Sequence, residues 1–294
     1  MKISQRTEVD RFLSSGDHDN SFEVWSGGTF FDRAKNGKAA LRSALISAVL
    51  MRAGQVAEPA CQEYSGLDIN ARAKFAPLVR GLFPQSEQSI ILDMLERSVV
   101  FLTPATINIV LEKTMWLNTA WNLANIYLVS LDAKPLTDDT PAIVGLSEER
   151  TCYVSIEYFR NNNQFDDYVV HEAAHIFHNC KRETIGLPST RRREWLLEID
   201  YAKRETFAYA CEAYSRILEL GETRSARSRL FSELAEGPMP PDERVEGAEY
   251  VEILREAVAA RNGWKRILER CSPARLGRNE CKLAAKQIPE LAVA

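Results

Sequence analysis

The chain has no strong excess of charge of either sign. Its 37 Lys and Arg residues and 41 Asp and Glu residues leave a formal net charge of -4 at pH 7. Proteins that bind nucleic acids or anionic membranes usually carry a basic surface. The composition therefore predicts neither partner. One basic cluster, Arg191 to Arg193, is followed closely by acidic residues, and we interpret it as part of a solvated loop.

Long hydrophobic runs are also missing. No window holds the roughly 18 apolar residues that a membrane-spanning helix needs, and the opening stretch MKISQRTEVDRFLSSGDHDN lacks the apolar segment of a secretory signal. The overall composition, 45% hydrophobic and 27% charged, is that of an ordinary globular protein. We therefore expect a cytoplasmic protein without a membrane span.

Paired cysteine motifs are absent as well. The six cysteines are scattered and form no CxxC pair, which argues against a cysteine-based zinc site or a redox motif. Without a secretory signal, they are expected to be reduced thiols. They are Cys61, Cys152, Cys180, Cys211, Cys271 and Cys281.

Apolar spacing predicts helices in four places. The first covers residues 37–54, and the second begins near Ser86 and covers SEQSIILDMLERSVVFL. The third covers 167–180, and the fourth begins near Trp195 or Asp200 and ends at Gly221. Four short segments after Pro104 are rich in β-branched and aromatic residues and predict strands: TINIVLEK, NIYLVSLD, PAIVGLSE and TCYVSIEYF. The expected fold is α+β and dominated by helix. A small sheet would pack on the helix at 167–180, with helical extensions on both sides.

We divide the chain into three regions. Residues 1–100 form a helical N-terminal region, 101–221 form the core, and 222–294 form a helical C-terminal extension. The proline-rich stretch EGPMPPDE is the best candidate for a boundary in the second half.

Histidine is scarce, yet three of the four histidines lie in DYVVHEAAHIFHNC, residues 167–180. His171 and His175 are one helical turn apart, so their imidazoles can converge on one ion. Glu172 completes H-E-x-x-H, the pattern of two zinc ligands and a carboxylate general base. Zinc lowers the pKa of its water to about 7, and Glu172 can take the proton. The alternative is a helix whose histidines only lie at the edge of the core and hydrogen-bond to the backbone.

A catalytic zinc needs a third protein ligand. We do not expect His178 to be this ligand, because three histidines spaced one turn apart on a straight helix can hardly all reach one ion. The ligand should come from another helix, and we expect Glu205, at the start of the helix in KRETFAYACEAYSRIL, with Glu212 as the next choice. The remaining candidates are Glu183, Glu194, Glu198 and Asp200.

The stretches CYVSIEYFRNNNQFDDYVVHEAAHIFH and RETFAYA resemble the core of ImmA/IrrE-type zinc metallopeptidases. That family has a strand, a polar turn, an RFTLAHELGHxxLH-like helix and, after a loop, an EAxxFA-like helix that supplies a glutamate ligand. The resemblance spans residues 142 to 218 or so. It implies a gluzincin site with His171, His175 and Glu205 on zinc and Glu172 as base. It also implies intracellular, narrowly specific proteolysis, often of repressor proteins.

The leading hypothesis is a zinc metalloendopeptidase that acts on a specific protein or peptide, by family analogy a transcriptional repressor. Two alternatives remain open, a catalytically silent zinc-binding regulatory module and a zinc hydrolase of a small amide. Tyr209, one turn after Glu205, could donate a hydrogen bond to the oxyanion or could simply pack in the core. TCYVSIEYF could be an edge strand that pairs with an extended peptide or an interior strand. The sequence does not indicate an oligomeric state.

Overall fold

The computed structural model describes residues 4–55, 70–138, 145–156, 163–191 and 193–273. Within these ranges the fold is α+β and dominated by helix, as predicted. The helices are α1 (Gln5–Ser15), α2 (Phe30–Ala53), α3 (Ala71–Leu82), α4 (Gln85–Glu96), α5 (Ile107–Lys113), α6 (Leu117–Ser130), α7 (Tyr168–Asn179), α8 (Arg204–Leu220), α9 (Arg224–Glu236), α10 (Gly247–Ala259) and α11 (Gly263–Cys271). The strands are β1 (Val99–Leu102), β2 (Gly145–Glu148) and β3 (Thr151–Ser155). No helix among the described residues combines the length and the apolar surface that crossing a bilayer requires.

The three strands form one mixed sheet in the order β1-β3-β2. β1 runs parallel to β3, with Val99 opposite Cys152, and β2 runs antiparallel to it, with Gly145 opposite Val154. β3 is therefore the interior strand, and its interpretation as an edge strand is wrong. Of the strands that the structure describes, β2 is the edge strand that lies beside α7.

Alternating side chains of the sheet point into two different cores. Cys152 and Val154 join a core formed with α3, α4, α7, α8, α10 and α11. Tyr153 and Leu146 contact a second core formed with α1, α2, α5 and α6. The sheet is thus covered by helices on both faces. The first core contains residues that precede position 100, residues between 101 and 221, and residues that follow 221. The proposed division of the chain at positions 100 and 221 stays a prediction.

Two of the four predicted strands are wrong. TINIVLEK contains α5, and NIYLVSLD forms the end of α6 and the turn that follows it. Both lie in the second core, where α6 is buried on most of its circumference, and a short apolar run does not distinguish such a helix from a strand. Conversely, the predicted helix that begins near Ser86 ends at Glu96, and its last residues form β1. The other two segments contain β2 and β3, while residues 141–144 and 157–159 lie outside the described ranges.

The two helices of the predicted metal site form as expected. The Asp167 side chain caps α7 by accepting a hydrogen bond from the Val170 amide. The apolar residues that recur at helical spacing on α7 are fully buried: Val170, Ala173, Ala174 and Phe177. α8 follows a short 3-10 turn at 201–203 and ends at Leu220, with Gly221 as its C-cap. Small residues such as Ala174 and Ala208 are completely buried in the core that α7 and α8 share, so the two helices can pack closely.

The described cysteines agree with the expectation of reduced thiols. Cys152, Cys180, Cys211 and Cys271 are buried and form no disulfide with one another. Cys61, Cys281 and the Ala/Lys-rich tail lie outside the described residues.

Candidate metal centre

Three ligand atoms converge at the interface of α7 and α8. The Nε2 atoms of His171 and His175 are 3.1 Å apart. Oε2 of Glu205 lies 3.3 Å from Nε2 of His175 and 3.7 Å from Nε2 of His171. Atoms bound to a tetrahedral zinc at about 2.0–2.1 Å lie about 3.3–3.4 Å from one another. The three separations are close to those around such an ion, so these side chains could hold a metal.

Glu212 orients His171 from the side of the imidazole ring opposite the other candidate ligand atoms. Its Oε2 lies 3.1 Å from Nδ1 of His171, and its Oε1 accepts a hydrogen bond from the backbone N–H of Asp167. Because the imidazole donates its Nδ1 proton to Glu212, its Nε2 lone pair faces the other ligands. Glu212 is therefore placed to fix the tautomer of His171, and among the described residues the group that could hold a metal does not include it.

His178 orients the imidazole of His175 in the same way. Nδ1 of His178 lies 3.1 Å from Oδ1 of Asn179, so it donates there, and its Nε2 can accept the Nδ1 proton of His175 over 3.1 Å. Burial lowers the pKa of His178 to about 3, with help from His175 and Arg204. His178 is thus neutral and able to accept. His175 in turn keeps its Nε2 lone pair directed at the ligand group.

The electrostatics of the ligand group favour a cation. Burial on its own lowers the pKa of His171, but hydrogen bonds to Glu205 and Glu212 and the nearby carboxylate charges outweigh it and raise this pKa to about 10. For Glu205, burial acts to raise the pKa, yet hydrogen bonds with His171 and His175 dominate and hold it well below its ordinary value. In the absence of a metal, the carboxylates thus attract a proton to the position where an ion would bind.

Glu172 lies between α7 and the edge strand β2. The side chain is 6% exposed. A Cβ atom added to Gly145 would come within 2.9 Å of its Cγ and Oε1, so glycine allows the strand to pass this close. Burial raises the pKa of Glu172, while the charges of His175 and His171 and a hydrogen bond from Ser147 act in the opposite direction. The carboxyl group is thereby placed near His171 and His175 and largely buried.

Tyr209 packs edge-on against His171, with ring centroids 4.5 Å apart. Burial, together with the charges of Glu212, Asp242 and Glu205, raises its pKa, so the phenol remains a hydrogen-bond donor at neutral pH. Both predicted roles, donor and packing residue, are compatible with this position.

The candidate ligands, Glu172 and Tyr209 line an open cleft of about 790 Å³. β2 lines it with residues 145–147, α8 and the preceding turn line it with Tyr201, Arg204 and Glu205, and the segment between α9 and α10 adds Asp242 and Arg244. That last segment includes EGPMPPDE, which the sequence marks only as a boundary. Nothing in its composition indicates that it reaches the site, because the contact depends on how α10 packs.

Arg244 contacts the oxygen of Glu205 that faces away from the histidines. Its Nη2 lies 3.1 Å from Oε1 of Glu205. Asp242 holds the same guanidinium group through two hydrogen bonds, of 2.9 Å to Nε and 2.6 Å to Nη2. The two carboxylate oxygens of Glu205 therefore have different neighbours, and Oε2 stays directed at the imidazoles.

The other candidate ligands are engaged elsewhere. Glu194 forms an ion pair with Lys181. Glu198 accepts hydrogen bonds from the backbone of residues 194 and 195, and Asp200 caps the 3-10 turn at 201–203. Glu183 belongs to a different 3-10 turn, at 182–185. In the described part of the chain, the group that could hold a metal consists of His171, His175 and Glu205.

Comparison of the chain with protein-family models, with curated proteins and with solved structures finds no match. The resemblance to ImmA/IrrE-type metallopeptidases stays a prediction that depends on the motif residues.

Proposed function

We propose that the protein is a zinc-dependent metalloendopeptidase that hydrolyses peptide bonds in a specific intracellular protein partner. One observation carries the proposal. The ligand atoms of His171, His175 and Glu205 lie within 4.8 Å of one another, and Glu172 directly follows the first ligand in the chain.

Zinc is the metal that this ligand set favours. Two neutral imidazoles and one carboxylate are typical of catalytic zinc sites that leave a position open. When bound by His171, His175 and Glu205, zinc would supply a Lewis acid that brings the pKa of a coordinated water to about 7.

The chain itself supplies the acid–base groups. Glu172 accepts the proton of the attacking water and passes it to the leaving amine. Its burial supports this role, because a raised pKa brings a carboxyl group closer to the range in which it can both take and return a proton. Tyr209 is the proposed donor to the oxyanion that develops on the scissile carbonyl.

The shape of the cleft favours a peptide over a small amide. The cleft is open, and β2 runs along it with one described strand neighbour, so its outer backbone groups can pair with an extended chain. Glu172 contacts the same strand. A peptide paired with β2 would therefore pass next to the proposed base. The sequence resemblance suggests a cytoplasmic repressor as the partner.

The decisive variant is Glu172→Gln. The purified wild type and this variant are compared for zinc content, thermal melting and cleavage of a diverse peptide library, with Glu219→Gln on the exposed end of α8 as the matched control. We expect zinc content and melting to stay the same in all three proteins and cleavage to be lost in Glu172→Gln alone. Full cleavage by Glu172→Gln would refute its role as base. Zinc binding without cleavage by the wild type would favour a silent regulatory module.

A further inference from the structure

Two arginines of the described residues line the cleft, and their surroundings differ. Arg244 is neutralised by Asp242 and Glu205, which lie 2.6 Å and 3.1 Å from its Nη2. Arg204, the first residue of α8, also lines the cleft but forms no ion pair with any carboxylate in the described ranges. Its Nε is buried and makes no hydrogen bond there. Among the residues that the structure describes, Arg204 is thus the arginine of the cleft whose charge no carboxylate neutralises.

An aromatic ring supports this guanidinium group. The Cζ atom of Arg204 lies 5.2 Å from the centroid of the Tyr201 ring, a distance at which cation–π attraction holds the charge over the ring. Tyr201 is 83% exposed, which is unusual for a large aromatic side chain, and it also lines the cleft. The pair presents a planar cation and an accessible aromatic surface side by side.

The charges along the cleft are unevenly distributed. Around Tyr209 they are negative, because Glu212, Asp242, Glu205 and Asp166 all act on its hydroxyl group. At His178, the positive charge of Arg204 is opposed by the negative charge of Glu205. A substrate in the cleft therefore meets several carboxylates and the guanidinium group of Arg204. Arg204 directly precedes Glu205 in the chain.

We propose that Arg204, supported by Tyr201, determines specificity by binding a carboxylate of the peptide substrate close to the scissile bond. The inference rests on the proposed function. A guanidinium group pairs with a carboxylate through two parallel charge-assisted hydrogen bonds, which are stronger than neutral ones and have a defined geometry. Since an endopeptidase acts within a chain, the carboxylate is that of an aspartate or glutamate side chain.

Binding to zinc-loaded Glu172→Gln protein tests the proposal without turnover. Fluorescein-labelled, alanine-rich peptides with an amidated C-terminus each carry one glutamate at a different position, and each has a glutamine twin. Fluorescence anisotropy gives the dissociation constants. A third set ends in a free carboxylate and has no acidic side chain, which separates the two sources of the charge.

We expect glutamate at one position to bind about tenfold or more tightly than glutamine, as charge-assisted hydrogen bonds allow. In the Arg204→Gln background this preference should disappear, and Arg204→Glu should prefer lysine at the same position. The control is Arg229→Gln on α9, where Arg229 is 75% exposed and pairs with Glu233. It should keep the preference.

Equal binding of glutamate and glutamine peptides, or a preference that survives Arg204→Gln, overturns the proposal. Tight binding of only the free-acid set overturns the side-chain assignment. Failure here is distinct from failure of the proposed function. A wild type that cleaves peptides without acidic preference contradicts only this inference, whereas a chain that binds acidic peptides through Arg204 but takes up no zinc contradicts only the function.

Discussion

Replacing Glu212 with glutamine should weaken zinc binding, although the two side chains have nearly the same shape. Glu212 accepts two hydrogen bonds at once, one from Nδ1 of His171 and one from the Asp167 amide. A glutamine has a single acceptor oxygen, and its NH₂ group is a donor. One of the two buried N–H groups therefore loses its partner in Glu212→Gln, whichever way the amide is oriented.

The size of the effect follows from two separate losses. Loss of a partner that orients a histidine ligand typically costs 10–100-fold in metal affinity, or about 1.4–2.7 kcal/mol. The unsatisfied donor also lowers the free energy of unfolding by about 1–3 kcal/mol, because Glu212 is 3% exposed and water cannot easily replace the bond.

Zinc affinity is measured by competition with a chromophoric chelator, and stability by denaturant unfolding of the metal-free protein. Glu219→Gln on the same helix is the control, since Glu219 is about half exposed and pairs only with Arg216 among the described residues. If Glu212→Gln bound zinc as tightly as the wild type and unfolded at the same denaturant concentration, Glu212 would not orient His171, and the reasoning would be refuted.

Three further substitutions test other contacts. His178→Ala removes the acceptor of the second histidine ligand, so zinc affinity in the chelator assay should fall about 10–100-fold while the helix content from circular dichroism stays unchanged. Gly145→Ala forces a Cβ to within 2.9 Å of Glu172, so peptide cleavage should fall while zinc content is retained. Glu87→Ala leaves the fully buried Arg182 without its ion-pair partner, so unfolding in denaturant should show a loss of about 3–5 kcal/mol.

Matched controls separate these effects from general damage. Gly28→Ala should leave peptide cleavage and zinc content unchanged, because its added Cβ would approach no atom closer than 4.0 Å. Glu96→Ala breaks an exposed ion pair with Arg72 and should leave the free energy of unfolding close to that of the wild type. Unchanged zinc affinity in His178→Ala, undiminished cleavage by Gly145→Ala or wild-type stability of Glu87→Ala would each contradict the corresponding contact.

The sequence predicts the local features of the site well. The spacing of His171 and His175 is enough to place both on one face of a helix, and Glu205 follows from the need for a third ligand at the start of the next apolar-periodic helix. These inferences use contacts within one turn or between two strongly amphipathic helices. Such local contacts depend little on how the rest of the chain packs.

The remaining parts of the site depend on packing between distant segments. Arg244 reaches Glu205 from a proline-rich connection that carries no sign of this contact in its sequence. Gly145 matters because β2 passes against Glu172, which requires the order of the sheet to be known. Similarly, the apolar composition of α6 suits a strand and a buried helix equally, and only its packing in the second core decides between them.

Metal analysis of the purified protein beside His175→Ala tests the central claim most directly. Nε2 of His175 lies within 3.3 Å of Nε2 of His171 and Oε2 of Glu205, so His175→Ala would remove one of the three proposed ligands. We predict about one zinc per wild-type chain and little or none in His175→Ala, with the fold retained in both. A wild type free of zinc after growth and dialysis with the metal, or a variant that keeps its full zinc content, would contradict the account.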